Sequence, residues 1–389
     1  MNYTIRTNCI FCDTKLTDTF FKDDYENYCG HYAVSIETEL NKMINIPFNI
    51  YTCSKCKTVQ TKYLGDLNEI YKFNHATNTG TTMNNLHHKN LDLILKYQDD
   101  INNIIEIGCS KGTLADLILN NIKLDYYIIE PHFIGDKNNK IIINDFYENV
   151  DDNNINADTI IISHVFEHFY NPKEILLKIN NNKNIKNFFL VFPDLEYYIN
   201  NDIYSVLNTE HTYYVDNDFL INFIENNGFK LIEKQNYIGH SILLYFIKNE
   251  QLLKKSIDFL EVLEQPIINK QIININYSLA TFYNKIFDTV NKFNQIIINN
   301  NNNKEIYIWP ASIHSLYLII FGLNDKLLTG MLDNCSNKIN NKLYGTNLKI
   351  FNFEEKIKEN IIILITGGIF NKEIETKLIE NNIEYYIIL

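Results

Sequence analysis

From residue 103 to residue 193 short continuous apolar runs alternate with stretches whose apolar residues recur every three or four positions. The runs are "NIIEIG" (103–108), "DYYIIE" (125–130), "KIIIN" (140–144), "DTIIIS" (158–163) and "NFFLVFP" (187–193). Strand-sized runs separated by helical periodicity predict a parallel sheet flanked by helices. "GFKLIEKQ" (228–235) and "HSILLYFIK" (240–248) follow as a closing hairpin. A second α/β unit begins at "KEIYIWPAS" (304–312) and continues through "GMLDN" (330–334) and "NIIILITGG" (360–368).

This patterning divides the chain into residues 1–72, short mixed segments with paired cysteines; 73–250, the α/β core; 251–303, a mainly helical connection broken at Pro266 and ending in an Asn run; and 304–389, the second α/β unit. At 389 residues the chain has room for several domains. Its 46% hydrophobic and 21% charged residues are ordinary for a protein that buries a core. A formal charge of −12 and a pI near 5.3 argue against a nucleic-acid footprint and against a polybasic membrane surface. No leader pattern and no spanning run occurs, "NIIILI" (360–365) being strand-sized, so a cytoplasmic protein is expected. The richness in Asn and Ile carries no functional weight.

Seven cysteines, an odd number, make a poor disulfide framework. Four of them form two C-x-x-C pairs, Cys9/Cys12 in "CIFC" and Cys53/Cys56 in "CSKC". In a reducing compartment such pairs are metal ligands, two thiolates from each turn meeting at one zinc ion. Forty residues lie between the pairs, more than a compact ribbon uses. Four thiolates leave no open coordination position, so the expected zinc is structural, close to one per chain. Cys29, Cys109 and Cys335 are expected as reduced thiols. His75, His87 and His88 have no further ligand cluster to support a second metal.

"IIEIGCSKG" (104–112) follows a strand and opens a helical stretch, "TLADLILNN" (113–121). A dinucleotide fingerprint needs glycine at 108, 110 and 113, and the sequence supplies Gly108, Ser110 and Thr113. An acid followed by G-x-G-x-G fits better: Glu106, Gly108, Ser110 and Gly112. Glu130 ends the next strand about 20 residues on, where an acid can hold ribose hydroxyls. Asp145 ends the third strand beside Phe146 and is placed for an adenine amino group. "SHVFEHFYNP" (163–172), with His164 and His168, follows the fourth strand.

This ordered set resembles the class I S-adenosylmethionine-dependent methyltransferases. Within them the chain resembles the three-domain sugar C-methyltransferases that act on nucleotide-linked keto-deoxysugars. The widely spaced cysteine pairs match that family's N-terminal zinc domain. "NTEHTYYVD" (208–216) and "GHSILLYF" (239–246) are similar to its Glu-His catalytic segment and later Gly-Ser strand. "IYKFNHATNTGTTMNNLHHKN" (70–90), containing Tyr71, is similar to its link into the core. "IYIWPAS", "LDNCSNKINNKLYGTNLKIF" and "NIIILITGGIFNKEI" resemble its C-terminal α/β domain in order and spacing. Asn208 stands where the family commonly has Tyr, and "WPAS" where it has Tyr-Gly-Ala; both bear on the identity of the sugar.

The resemblance implies a class I Rossmann-like methyltransferase core between a four-cysteine zinc domain and a Rossmann-like C-terminal domain. It implies S-adenosylmethionine on Glu106, Gly108, Ser110, Gly112, Glu130, Asp145, Phe146 and His164, a small nucleotide-sugar substrate reached by Asn208, and a monomer. Methylating carbon requires removal of a proton next to a carbonyl, hence a base and a stabiliser of the oxyanion. His211 is the expected base, Glu210 its support or a ligand of a substrate hydroxyl, with His168 and Tyr71 beside the reacting groups. Two neighbouring side chains aimed at one target call for an irregular segment, with Asp216 capping the helix after it. Methylation of oxygen or nitrogen in another small molecule would use the same donor site. A non-catalytic reader built on a degenerate core is disfavoured by the acidic charge and by the intact Glu106, Gly108, Gly112 and Glu130.

Overall fold

The computed structural model describes residues 3–22, 24–25, 35–36, 45–71, 81–201, 203, 206, 208–237, 240–249, 266–300, 304–336, 338–356, 360–366, 368 and 371–387. Cys29, His75, Gly239 and segments 72–80 and 251–265 lie outside them.

The N-terminal part contains β1 (Tyr3–Ile5), β2 (Ser35–Ile36), β3 (Ile50–Thr52), β4 (Val59–Thr61), β5 (Tyr63–Gly65) and the one-turn α1 (Leu67–Ile70). The core runs α2 (Thr81–Lys96), β6 (Ile104–Ile107), α3 (Thr113–Leu119), β7 (Tyr126–Ile129), β8 (Ile141–Ile143), β9 (Thr159–Ser163), α4 (Pro172–Asn181), β10 (Asn187–Pro193), α5 (Leu195–Asn200), β11 (Tyr213–Tyr214), α6 (Asn217–Asn226), β12 (Phe229–Tyr237) and β13 (Ser241–Lys248). Its seven-stranded sheet has the order β12-β13-β10-β9-β6-β7-β8. The five strands from β10 to β8 are parallel, and β13 and β12 complete the sheet antiparallel. β6 and β10 are buried at every position because helices cover both faces. β12, at the edge, alternates between covered and more exposed residues. The sequence-predicted strands and the closing hairpin all appear.

Helix starts follow local chemistry. Asn171 caps α4 with Pro172 in its first turn, where a missing N–H costs nothing. Asp216 caps α6, its carboxylate accepting from the Phe219 N–H at 2.7 Å, as expected from the sequence.

The described part of the connection is one long helix, α7 (Pro266–Ile298), which Pro266 begins. Beyond it lie β14 (Glu305–Trp309), α8 (Ile313–Ile320), β15 (Gly330–Asp333), β16 (Lys342–Leu343), β17 (Ile350–Asn352), α9 (Phe353–Lys356), β18 (Ile361–Ile365), α10 (Asn371–Glu380) and β19 (Glu384–Ile387). β17-β15-β14-β18-β19 form a second, wholly parallel sheet.

Two strand pairings cross between these units. β11 adds to the N-terminal sheet, Tyr213 opposite Gln60 and Tyr214 opposite Val59. β2 pairs with β16, Ser35 opposite Leu343. One apolar cluster likewise joins Phe48, Ile50 and Val59 to Leu195 and Tyr214 and to Phe293, Ile308 and Leu316. No helix among the described residues is long and apolar enough to cross a membrane.

Candidate functional site

The two cysteine turns have one shape. In each, the N–H of the residue after the second cysteine returns to the first cysteine's carbonyl: Asp13 to Cys9 at 2.9 Å, Lys57 to Cys53 at 3.0 Å. Both of those residues have left-handed backbone, φ 57° and 62°. The four sulfurs converge, with Cys9 Sγ 3.4 Å from Cys56 Sγ, Cys12 Sγ 3.5 Å from Cys53 Sγ, and all four within 4.8 Å of one another. Tetrahedral zinc with bonds of about 2.3 Å separates its sulfurs by about 3.8 Å, so the donor set and its span fit that ion. Gln60 Nε2 donates to Cys9 Sγ at 3.0 Å, a donor aimed at a sulfur that carries charge when it ligates. Phe11, between the first two cysteines, packs edge-on against Tyr213, Phe219 and Phe223 with centroids 4.9–5.4 Å away. The cysteine cluster is thus seated on the core, beside residues 208–214.

The glycine turn after β6 has positive φ at Gly108 (70°), Ser110 (55°) and Gly112 (72°). A Cβ on Gly108 would lie 2.4 Å from Val165 Cγ2, so the turn and the segment after β9 touch where only glycine fits. Glu130 reaches back over the turn, Oε2 accepting from the Ser110 N–H at 3.0 Å and Oε1 from the His132 N–H at 3.1 Å. Glu106 faces inward; Tyr126 donates to its carboxylate at 2.8 Å and burial pushes it up to about 7. Asp145 accepts from its neighbour Phe146 N–H at 2.7 Å and from Asn149 at 2.8 Å. Phe146 lies 6.0 Å, ring to ring, from Tyr71. Of the expected donor-site residues, Glu106 is on β6, and Gly108, Ser110, Gly112, Glu130, Asp145 and Phe146 lie in the loops after β6, β7 and β8; on the other side of the Gly108–Val165 and Phe146–Tyr71 contacts lie Tyr71 and the 164–168 turn, which carries the remaining one, His164.

The centre of that other side is a residue that the sequence reading passed over, Glu167. It is 2% exposed, and neither carboxylate oxygen has a hydrogen bond among the described residues. Three imidazoles face its Oε1: His164 Nδ1 at 3.4 Å, His168 Nε2 at 3.9 Å and His211 Nε2 at 3.9 Å. The far nitrogen of each ring is engaged: His164 Nε2 with Ser241 Oγ at 2.9 Å, His168 Nδ1 with Tyr71 Oη at 2.9 Å, and His211 Nδ1 with the Val206 carbonyl at 2.9 Å. Val206 O can only accept, so Nδ1 of His211 carries the proton and Nε2 presents its lone pair. Burial would raise Glu167, but the histidines around it outweigh burial and hold it below the usual carboxylate range. Burial pulls His211 down to about 4, helped by His168 and opposed by Glu167 and Glu210.

Residues 208–212 are irregular, as two adjacent inward side chains require, and 213–214 form β11. Asn208 Oδ1 accepts from the N–H groups of Glu210 at 2.9 Å and His211 at 2.8 Å, so this fully buried side chain shapes the turn. Thr212 N–H donates to Glu167 O at 2.9 Å, tying the turn to the 166–168 segment. Glu210 Oε2 lies 3.9 Å from His168 Nδ1, while the carboxylate facing His211 Nε2 is Glu167. The one signal that could have exposed Glu167 is its position between His164 and His168 in a loop at the carboxyl end of a parallel strand.

Residues 81–234 match the family model described as a methyltransferase domain. No curated protein matches the chain. Among solved structures, the chain is similar to a magnesium protoporphyrin IX methyltransferase from Synechocystis with bound S-adenosylmethionine, at 11% identity over 43% of this chain and 80% of that one, TM-score 0.33. It is also similar to the N-methyltransferase NodS from Bradyrhizobium japonicum, at 12% identity over 44% and 99%, TM-score 0.33. A third is the PH0226 protein of Pyrococcus horikoshii, at 10% identity over 44% and 93%, TM-score 0.36. The family match covers the five parallel strands of the seven-stranded sheet and the start of β12, and stops short of β13. The core has the α/β fold of class I methyltransferases, and residues 81–234 within it are similar to a methyltransferase domain.

Proposed function

We propose that this protein is an S-adenosylmethionine-dependent C-methyltransferase acting next to the keto group of a nucleotide-linked 4-keto-deoxysugar, with zinc held by Cys9, Cys12, Cys53 and Cys56. The observation that carries the reaction type is His211. Its Nδ1 is committed to a carbonyl, which leaves Nε2 in proton-accepting form inside a buried cluster beside the Gly108 turn. The sugar rests on the resemblance of the Glu-His segment and of the flanking domains.

In this reading the donor supplies an electrophilic methyl group when bound, and the chain's residues do the rest. Glu130 holds the ribose, with Asp145 and Phe146 at the adenine. His211 Nε2 takes the acidic proton of the sugar carbon, and the electron pair moves onto the carbonyl oxygen as an enolate. Tyr71 and His168, hydrogen-bonded to each other, supply the donor for that oxygen. Glu167 offsets the imidazolium charge on His211, and Glu210 that on His168. Replacing Glu130 by alanine removes two contacts to the ribose, each charge-assisted bond worth at most about 1.5–3 kcal/mol. Calorimetry is expected to show donor affinity reduced accordingly; unchanged affinity would refute this placement.

The function itself is tested by mass spectrometry of products from a panel of nucleotide 4-keto-sugars with the methyl donor. Fragmentation placing the new methyl on a ring carbon is expected. A methyl found only on oxygen or nitrogen would establish the alternative.

A further inference from the structure

We propose that Glu167, His168 and His211 form a binding site for a divalent first-row transition-metal ion, separate from the four-cysteine cluster. One ligand atom from each of these residues lies within 4.8 Å of the others. Two ligands each about 2.1 Å from one ion stand about 3–3.5 Å apart, so the two 3.9 Å separations at Glu167 need to contract by less than ~1 Å. Two imidazoles and one carboxylate on one side of an ion are the donor set used for such metals, with positions left open opposite.

Three observations point to a cation. The Glu167 carboxylate is buried and, among the described residues, has three imidazoles near Oε1 (His164 Nδ1 nearest, at 3.4 Å) but no well-formed hydrogen bond on either oxygen, an arrangement that is costly unless positive charge compensates it. The outer nitrogens of both rings are fixed, His168 Nδ1 by Tyr71 and His211 Nδ1 by the Val206 carbonyl. Such outer bonds are the means by which metal-binding histidines are oriented. Glu210, 3.9 Å from His168, adds a second carboxylate, so neutral imidazoles leave the cluster with two negative charges for a dication to match.

Binding depends on neither the methyl donor nor the sugar. Its consequence does rest on the reading of His211 as the base: the ion occupies the same Nε2 that would take the proton, so a loaded cluster cannot abstract it. The metal and the substrate proton therefore compete for one lone pair.

The test uses the full chain with zinc in the cysteine cluster, titrated with cobalt(II) at neutral pH. One cobalt per chain is expected alongside the zinc. Its absorption should show d–d bands of nitrogen and oxygen ligation without a thiolate charge-transfer band. Glu167→Gln and His168→Gln, which lie on the same turn but remove different ligands, should each weaken cobalt binding by about 100-fold or more. The thiolate band reads the parent protein alone, so the outcome does not hang on the variants' folding. Cobalt that binds only with a thiolate band, does not bind, or binds to both variants as tightly as to the parent overturns the proposal. Methyl transfer on the sugar panel is scored separately, without added metal, so failure of either idea leaves the other standing.

Discussion

His211→Ala is expected to lower turnover by about 10²–10⁴ while leaving donor affinity nearly unchanged, since that is the usual contribution of one general base. His211 belongs to the 208–212 turn, whereas the residues proposed for the donor, His164 apart, lie on β6 or in the loops after β6, β7 and β8. The sharper measurement is exchange of the substrate's acidic proton with deuterated water while the demethylated donor is bound, because methyl transfer cannot then occur. If the alanine variant exchanges as fast as the parent, His211 is not the base. Glu167→Gln should slow the same exchange without abolishing it, because the amide keeps the shape of the cluster and removes the charge that offsets an imidazolium.

Cys53→Ser is expected to release the metal and destabilise the N-terminal domain, the larger structural effect. Structural zinc contributes about 10–16 kcal/mol of apparent binding free energy in isolated zinc-finger peptides, and that energy is folding energy. Removing one of four thiolates forfeits much of it. Metal analysis of tag-free protein should find close to one zinc per chain in the parent and none in the variant. A parent protein without zinc would end the assignment. The damage should reach the reacting residues, because Thr61 N–H donates to Thr212 O at 3.1 Å and Gln60, which bonds to Cys9, lies opposite Tyr213. In the variant, proton exchange at the substrate should fall along with metal content.

The strands of the core were legible because parallel strands covered on both faces are written as unbroken apolar runs. The cysteine pairs were legible from spacing alone, and Asp216 as a cap because its chemistry is local. Glu167 was not. An acid between two histidines in a loop looks like any solvated residue until the fold brings His211 across to it. Asn208 was expected at the substrate, and the structure places its side-chain oxygen on two backbone N–H groups of its own turn. The pairing of Tyr213–Tyr214 with Val59–Gln60 was equally hidden, since two-residue strands have too little periodicity to announce themselves. What remained invisible was contact between distant residues; what could be read was each segment's own tendency.

The two crossing strand pairs set an order of events during synthesis. Once residues 1–70 have been made, β4 has β3 beside it but not β11, and the partner that β2 has among the described residues, Lys342–Leu343, emerges much later. The cysteine turns can close early, since their backbone bonds are local, yet the sheet whose β11 follows Glu210 and His211 waits for residue 214, and the β2 pairing for most of the chain. Contacts of such sequence separation are slow to form because loop closure precedes any gain from them. Strands β2 and β4, made before the strands that complete their pairings, are among the last to find their final neighbours.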